Sequence, residues 1–300
     1  EIIVTQRFAM RDMREADRLA AHARAIGATL VFDLDDDLLA IPRNHPDARV
    51  LRPRAAVVRR MLDLADVVWL STPGLAERLG SIRPDAMVME NGLDERIWTP
   101  PALPPHDQPV RILCMGTTTH DSDFALIEPA LVRIKAEYRE RVVIDIIGMT
   151  ARSDVPAGLN RIGPPVTARR SYPGFVHWLA SAEPQWHIGL APLLDTPFNR
   201  CKSPIKAMDY AAMGLTVLAS DTPVYQGSLA DGPAGQLVAN TPAAWYAALN
   251  WRLRDREALQ AAAARSREAF LTRASLASQA EVRRGAWSRL RNVRKTDAAA

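Results

Sequence analysis

Two lysines sit where a helix start would ordinarily avoid positive charge. In Phe198-Asn-Arg-Cys-Lys-Ser-Pro-Ile-Lys-Ala-Met-Asp-Tyr-Ala-Ala-Met-Gly214, Ser203 is a good N-cap, Pro204 suits the first helical position and Gly214 suits the residue after the last turn. Lys206 therefore falls in the first turn, where its charge opposes the helix dipole and the backbone N–H groups lack intrahelical partners. Such a start is built to receive an anion. Lys202, one helical turn earlier in sequence, is expected to reach the same anion, and a diphosphate suits two cations beside a helix end. Ile205, Met208 and Ala212 share a face and are expected to pack on a sheet, leaving Lys206, Asp209 and Tyr210 on the adjoining, ligand-facing side. There Asp209 can accept hydrogen bonds from vicinal ribose hydroxyls, with Asn199 and Ser203 as further polar partners. The simpler alternative is a surface Lys/Asp pair worth a few tenths of a kcal/mol.

A second segment, Arg111-Ile-Leu-Cys-Met-Gly-Thr-Thr-Thr-His-Asp121, reads as strand, glycine turn and polar loop. In doubly wound sheets ligands bind beyond the carboxyl ends of strands, where a glycine lets backbone N–H groups approach phosphate oxygens. Gly116, Thr117, Thr118 and His120 are the donor-binding candidates here. An ordinary turn with a solvated histidine is the alternative.

The acidic run Val31-Phe-Asp-Leu-Asp-Asp-Asp-Leu-Leu39 resembles two different openings. Haloacid-dehalogenase phosphatases begin with an apolar strand and Asp-x-Asp, which would make Asp33 a nucleophile and Asp35 a general acid beside Mg²⁺. Against that stand Asp37 in the usual Thr position, the strand and helix that precede the motif, and the lack of a later Gly-Asp-x-x-x-Asp arrangement. The Asp-x-Asp metal motif of GT-A glycosyltransferases is also mimicked, but that fold leaves residues 110 to 240 without an explanation. Clustered carboxylates need solvent, cations or basic partners. The run is thus either a solvated loop after a strand or the acceptor-side wall of a cleft, with Asp35 and Asp36 as the wall residues.

Composition sets the frame for these sites. Three hundred residues with 48% hydrophobic content can bury two ordinary cores. The two cysteines, Cys114 and Cys201, have no metal-ligand spacing and suit a reducing, cytoplasmic compartment. No apolar run reaches about 18 residues, so neither a membrane span nor a signal peptide is expected. The net charge is +4, and much of the excess lies in the tail Val282 to Lys295. That tail reads as a solvated helix face or as a peripheral contact with an anionic membrane. Opening on Glu1-Ile-Ile-Val4 without Met suggests a piece of a longer protein. No Gly-x-Ser-x-Gly, Walker loop or His-Glu-x-x-His is present, which argues against hydrolase triads, P-loop chemistry and zinc; no metal and no nucleic acid are expected.

Short apolar runs alternate with amphipathic stretches, the pattern of a doubly wound α/β chain with parallel strands. Strands are expected at 2–5, 29–34, 66–70, 86–89, 110–115, 142–147, 186–191, 215–219 and 236–239. Helices are expected at 11–26, 53–64, 73–80, 122–138, 172–182, 204–213 and 242–253. Residues 1–98 would form an N-terminal, acceptor-side Rossmann-like domain, and the proline-rich 99–109 a semi-rigid linker. Residues 110–254 would form a second Rossmann-like domain. A long helix over 255–290, within a segment 255–300, would return toward the first half.

Taken together, these segments resemble the retaining GT-B glycosyltransferases of the group 1, family 4-like type, and more narrowly bacterial members of surface-polysaccharide and O-antigen assembly. Ala65-Asp-Val-Val-Trp-Leu-Ser-Thr-Pro73, Glu90-Asn-Gly-Leu-Asp94, Ile188-Gly-Leu-Ala-Pro-Leu193 and Val217-Leu-Ala-Ser-Asp221 join the three segments above in carrying it. The resemblance implies an α/β GT-B fold of two Rossmann-like domains facing a cleft, the first incomplete because its N-terminal glycine loop is not seen and the second, 110–254, binding the nucleotide-sugar. It implies a metal-independent hexosyltransferase with no cofactor, a nucleoside diphosphate sugar as donor and a glycan or lipid-linked acceptor. Lys202 and Lys206 would act on the diphosphate, and Asp209 would hold the ribose. Asp209 fits the second position of the family's Glu, seven residues, Glu pattern. Cys201 stands at the first, where relatives place the residue that contacts the donor hexose. A phosphatase using Asp33 and Asp35, or a nucleotide-binding module without turnover, are the alternatives.

Overall fold

A computed structural model describes residues 1–98, 108–181, 185–232 and 234–297, with side chains to 290. Most of the expected linker, 99–107, and the side chains of 291–297 in the basic tail lie outside the described residues. The elements run β1 (Ile2–Gln6), α1 (Met13–Ala25), β2 (Thr29–Leu34), α2 (Ala48–Leu51), α3 (Ala55–Leu64), β3 (Val67–Leu70), α4 (Pro73–Leu79) and β4 (Met87–Val88). They continue as β5 (Val110–Gly116), α5 (Asp121–Tyr138), β6 (Val142–Gly148), β7 (Leu159–Ile162), α6 (Tyr172–Ala180), β8 (Ile188–Ala191), α7 (Ile205–Ala212), β9 (Thr216–Ser220) and β10 (Gly235–Val238). Three helices close the chain: α8 (Pro242–Arg254), α9 (Arg256–Arg273) and α10 (Ala280–Asp297).

Two compact units emerge, one formed by 1–91, 196–203 and 279–300, the other by 92–195 and 204–278. Unit 1 holds four parallel strands in the order β1-β2-β3-β4. Its β2 is buried along most of its length because both faces are covered. Alanines of α1 and the Val58, Met61 and Leu62 stripe of α3 pack on one face. Ala286 and Leu290 of α10 pack with Val31 and Trp69 on the other, where Trp287 meets Trp69 edge to face at 5.3 Å. Unit 2 holds six parallel strands in the order β10-β9-β8-β5-β6-β7. Renumbered within the unit this is the Rossmann order, whose direction reverses between its first and fourth strands, here β5 and β8.

Three expectations differ from the structure. The strand β7 and the short α2 were not expected, since Leu-Asn-Arg-Ile and Ala-Arg-Val-Leu are too short to carry a period. The single helix over 255–290 is two helices. Between them Leu93 N–H donates to Ala274 O at 3.0 Å and Leu276 N–H donates to Leu93 O at 2.9 Å, so a distant segment takes the backbone groups that helix continuation would need. The first unit ends at Asn91, because Leu93 and Trp98 are buried in the core of unit 2.

Candidate functional site

Unit 2 carries a pocket of about 560 Å³ at the carboxyl ends of β5, β6 and β7, with α7 along one side. Its walls include Gly116, Thr117, Thr118, His120, Lys206 and Asp209, six of the residues that the sequence pointed to. Lys206 is in the first turn of α7, as expected. The cap differs: α7 starts after Pro204 with no side-chain cap, and Ser203 Oγ instead accepts a 3.0 Å hydrogen bond from Asn91 Nδ2 within unit 1.

Asn199, Lys202 and Ser203 belong to unit 1, although Lys202 is only four residues from Lys206 in sequence. The ammonium of Lys202 is 3.6 Å from Asp36 Oδ1 and 4.7 Å from the Phe198 ring centroid. Its positive charge pairs with the acidic run. That run is also satisfied by Arg7, whose Nη1 lies 3.1 Å from both Asp35 and Asp36, while Asp37 is buried and paired with Arg78. Burial holds the carboxyls of Asp33 and Asp35 above the usual range, partly offset by the Gln6 hydrogen bond at Asp33 and by the Arg7 charge at Asp35. Cys201 is a packing residue of unit 1. Its Sγ is 3.5 Å from Pro197 O, its carbonyl accepts from Thr72 Oγ1 at 2.9 Å, and burial pushes the thiol up to about 11.

Tyr210 corrects a further expectation, because its ring is fully buried and does not line the pocket. Its hydroxyl accepts from Met115 N at 2.8 Å and donates to Leu190 O at 3.0 Å. The β5–β8 ladder ends at Cys114 opposite Leu190, so this phenol takes the backbone groups at the end of the ladder and wedges the strands where sheet order reverses. Gly189 makes the wedge possible, for a Cβ there would lie 2.3 Å from the Tyr210 ring. The same economy of space shapes the floor. A Cβ on Gly116 would meet Met149 Sδ at 2.8 Å and Lys206 Cε at 3.2 Å, and one on Gly148 would fall 1.9 Å from Gly116 O. Gly148 (φ +67°) and Met149 (φ +61°) both adopt left-handed backbone, which turns the chain away at the end of β6 and leaves the pocket open.

Asp209 is half-buried and accepts a 2.7 Å hydrogen bond from Tyr172 Oη. Burial pushes its carboxyl up to about 7, against the lowering effects of the Tyr172 bond and the Lys206 charge. The far end of the pocket, made by Arg161, Ile162, Gly163, Pro164, Arg169 and Phe175, escaped the sequence reading. Only the Gly-Pro pair at 163–164 marked it as a turn, and the missed β7 hid the fact that this turn ends a strand of the sheet.

The architecture can now be compared with known proteins. No family model and no curated protein sequence matches the chain. Solved structures do. Sucrose-phosphate synthase from Thermosynechococcus elongatus superposes with a TM-score of 0.66 at 16% identity, covering 100% of this chain and 74% of that one. Anabaena HepE in complex with UDP gives 0.65 at 11% identity, with 96% and 78% covered. A UDP-forming trehalose-phosphate synthase from Burkholderia xenovorans gives 0.61 at 14% identity, with 98% and 74% covered. The fold is GT-B. At these identities the likeness concerns architecture: two Rossmann-like units, of which the second carries the pocket just described. No helix among the described residues is long and apolar enough to cross a membrane.

Proposed function

We propose that this chain is a glycosyltransferase that takes a sugar from a nucleoside diphosphate donor bound in unit 2. The sugar passes to a hydroxyl of a glycan or lipid-linked acceptor, with retention at the anomeric carbon. The observation that carries the reading is the placement of Lys206 and Asp209 one turn apart on α7, both lining a pocket at the strand ends of a GT-B fold. An ammonium and a carboxylate at that spacing suit a diphosphate and the ribose attached to it. The UDP and UDP-glucose complexes of HepE support that donor class.

Breaking the sugar–phosphate bond puts charge on the departing diphosphate. Lys206, the start of α7 and the Thr117 and Thr118 hydroxyls stabilise that charge as it forms, which is where fixed donors lower a barrier most. The departing phosphate takes the acceptor proton, and Lys206 does the work that a bound cation does elsewhere, so the reaction proceeds without metal or cofactor. Asp35 and Asp36, held by Arg7, face the acceptor. The reaction we propose belongs to surface-polysaccharide assembly, O-antigen included, on the cytoplasmic side, a reading supported by the sequence resemblance.

Lys206→Ala is expected to lose roughly 2 to 4 kcal/mol of transition-state stabilisation, as for removal of one oxyanion donor, read as a fall in kcat with nucleotide-sugar donors. Turnover equal to the wild type would overturn the assignment. EDTA-sensitive phosphate release from simple monoesters would point instead to the Asp33/Asp35 phosphatase. Nucleotide binding with no transfer across an acceptor panel would identify a module without turnover.

A further inference from the structure

Tyr172 is not among the residues that the sequence pointed to, and it does not line the pocket, yet its hydroxyl donates to a carboxylate that does. Two features place that hydroxyl. Ser171 caps α6 by accepting from Gly174 N–H at 3.2 Å, which fixes the backbone of Tyr172 as the first residue of the helix. The phenol ring lies edge-on to Trp98 with centroids 6.3 Å apart, and Trp98 is itself buried in the core of unit 2. Burial and the Asp209 charge hold the phenol well above its usual range, so Oη stays protonated and remains a donor. Its proton goes to Asp209 Oδ1 at 2.7 Å, and Oδ2 has no hydrogen bond among the described residues. A carboxylate oxygen only accepts, and Oδ2 is left for a ligand.

We propose that Tyr172 is a positioning residue of the donor site: by holding Oδ1 it fixes the orientation of the Asp209 carboxylate and leaves Oδ2 as the acceptor for a ribose hydroxyl. The same bond favours the charged form that a ribose needs, because a hydroxyl donates to a carboxylate. Burial pushes the Asp209 carboxyl up to about 7, and the Tyr172 bond opposes it, followed by the Lys206 charge. The other titratable or charged groups on the walls of the pocket are His120 after β5, Arg161 in β7 and Arg169 before α6. Tyr172 therefore acts on the ligand through Asp209 and not by touching it.

The role in donor binding rests on the proposed donor site, but the hold on Asp209 can be read without any ligand. ¹³C NMR of the Asp209 carboxyl, assigned with Asp209→Asn, follows its titration. Tyr172→Phe removes only a hydroxyl, at a residue 43% exposed, and should move the midpoint to higher pH. Fluorotyrosine in place of tyrosine makes Oη a stronger donor and should move it lower. Affinity is then measured with the sugar nucleotide of whichever base, among UDP, GDP, dTDP and CDP, the wild type binds. In Tyr172→Phe it should fall about tenfold near neutral pH, the scale of one hydrogen bond to a charged group, and the loss should shrink as pH rises. In an Asp209→Ala background the same substitution should cost nothing further. A midpoint that stays in place in Tyr172→Phe would overturn the proposal, and so would one that fluorotyrosine leaves unmoved, even if the Phe variant does not fold. A loss of affinity independent of pH, or fully additive with Asp209→Ala, would also overturn it. If the wild type binds no sugar nucleotide, the donor reading fails while the carboxyl titration still decides what Tyr172 does to Asp209.

Discussion

Asp209 carries an ionisation that two experiments can follow. Its carboxyl is pushed by burial from the ordinary value of 3.8 to about 7. Below the lower value both folded and unfolded chains hold the proton, so the group contributes no pH dependence. Between 3.8 and about 7 the folded chain keeps a proton that the unfolded chain has released, so stability falls as pH rises through this window and levels off above it. Asp209→Asn should remove that slope, measured as urea midpoints at several pH values across the window. For ligand binding at the proposed donor site the sign reverses, because there ribose hydroxyls would donate to the carboxylate. Affinity for a nucleotide-sugar, whose diphosphate stays fully ionised over this range, should rise with pH through about 7 and become flat in Asp209→Asn, as read by calorimetry. Tyr210 makes a different point at the same scale. Sequence spacing placed it beside the ligand, but its hydroxyl bridges Met115 N and Leu190 O inside the sheet. Tyr210→Phe strands a buried N–H and a buried C=O, a loss of about 2 to 3 kcal/mol in denaturant unfolding.

Among the elements, β6 and α7 do most to shape the site. Gly148 ends β6 in left-handed backbone against the carbonyl of Gly116. Gly148→Ala should cost at least about 2 kcal/mol from left-handed strain and overlap, and should lower nucleotide affinity more than a substitution of equal destabilisation remote from the pocket. Helix α7 is held at its other end by Arg267 of α9, whose guanidinium bonds Ala212 O and, at 2.7 Å, Trp98 O. Strands and helices long enough to show a period were legible: β5 and β6, apolar but for Arg111 and Asp145, the α3 stripe, the Thr72-Pro73 start of α4. The four-residue β7 and α2 were not, because Asn160 and Arg161, and Arg49, interrupt runs too short to show a period, whereas the equally short β3 is an unbroken apolar run. The break between α9 and α10 had no local signal strong enough to mark it, since it depends on Leu93, which lies far away in sequence.

For the whole molecule, the GT-B fold with its pocket in unit 2 predicts where a donor will act. A nucleoside diphosphate at 100 times its dissociation constant should add about 2.7 kcal/mol to the stability of the protein that binds it. Hydrogen exchange should show the added protection in β5, β6, β7 and α7, with the four strands of unit 1 unchanged. Comparing UDP, GDP, dTDP and CDP in a thermal-shift series identifies the base. Sequence by itself determined the two-unit α/β plan, because alternating apolar and amphipathic runs force parallel strands covered by helices, and it marked Lys206, Asp209 and the Gly116 loop as the candidates that line the pocket of unit 2, because helix-end charge and glycine turns are local properties. Tertiary structure alone decided which unit each sequence neighbour of Lys206 joins. Lys202, Ser203 and Cys201 lie within five residues of it in sequence but fold into unit 1. Local patterning sets the backbone of each segment, whereas charge pairing and burial are settled by segments far apart in the chain.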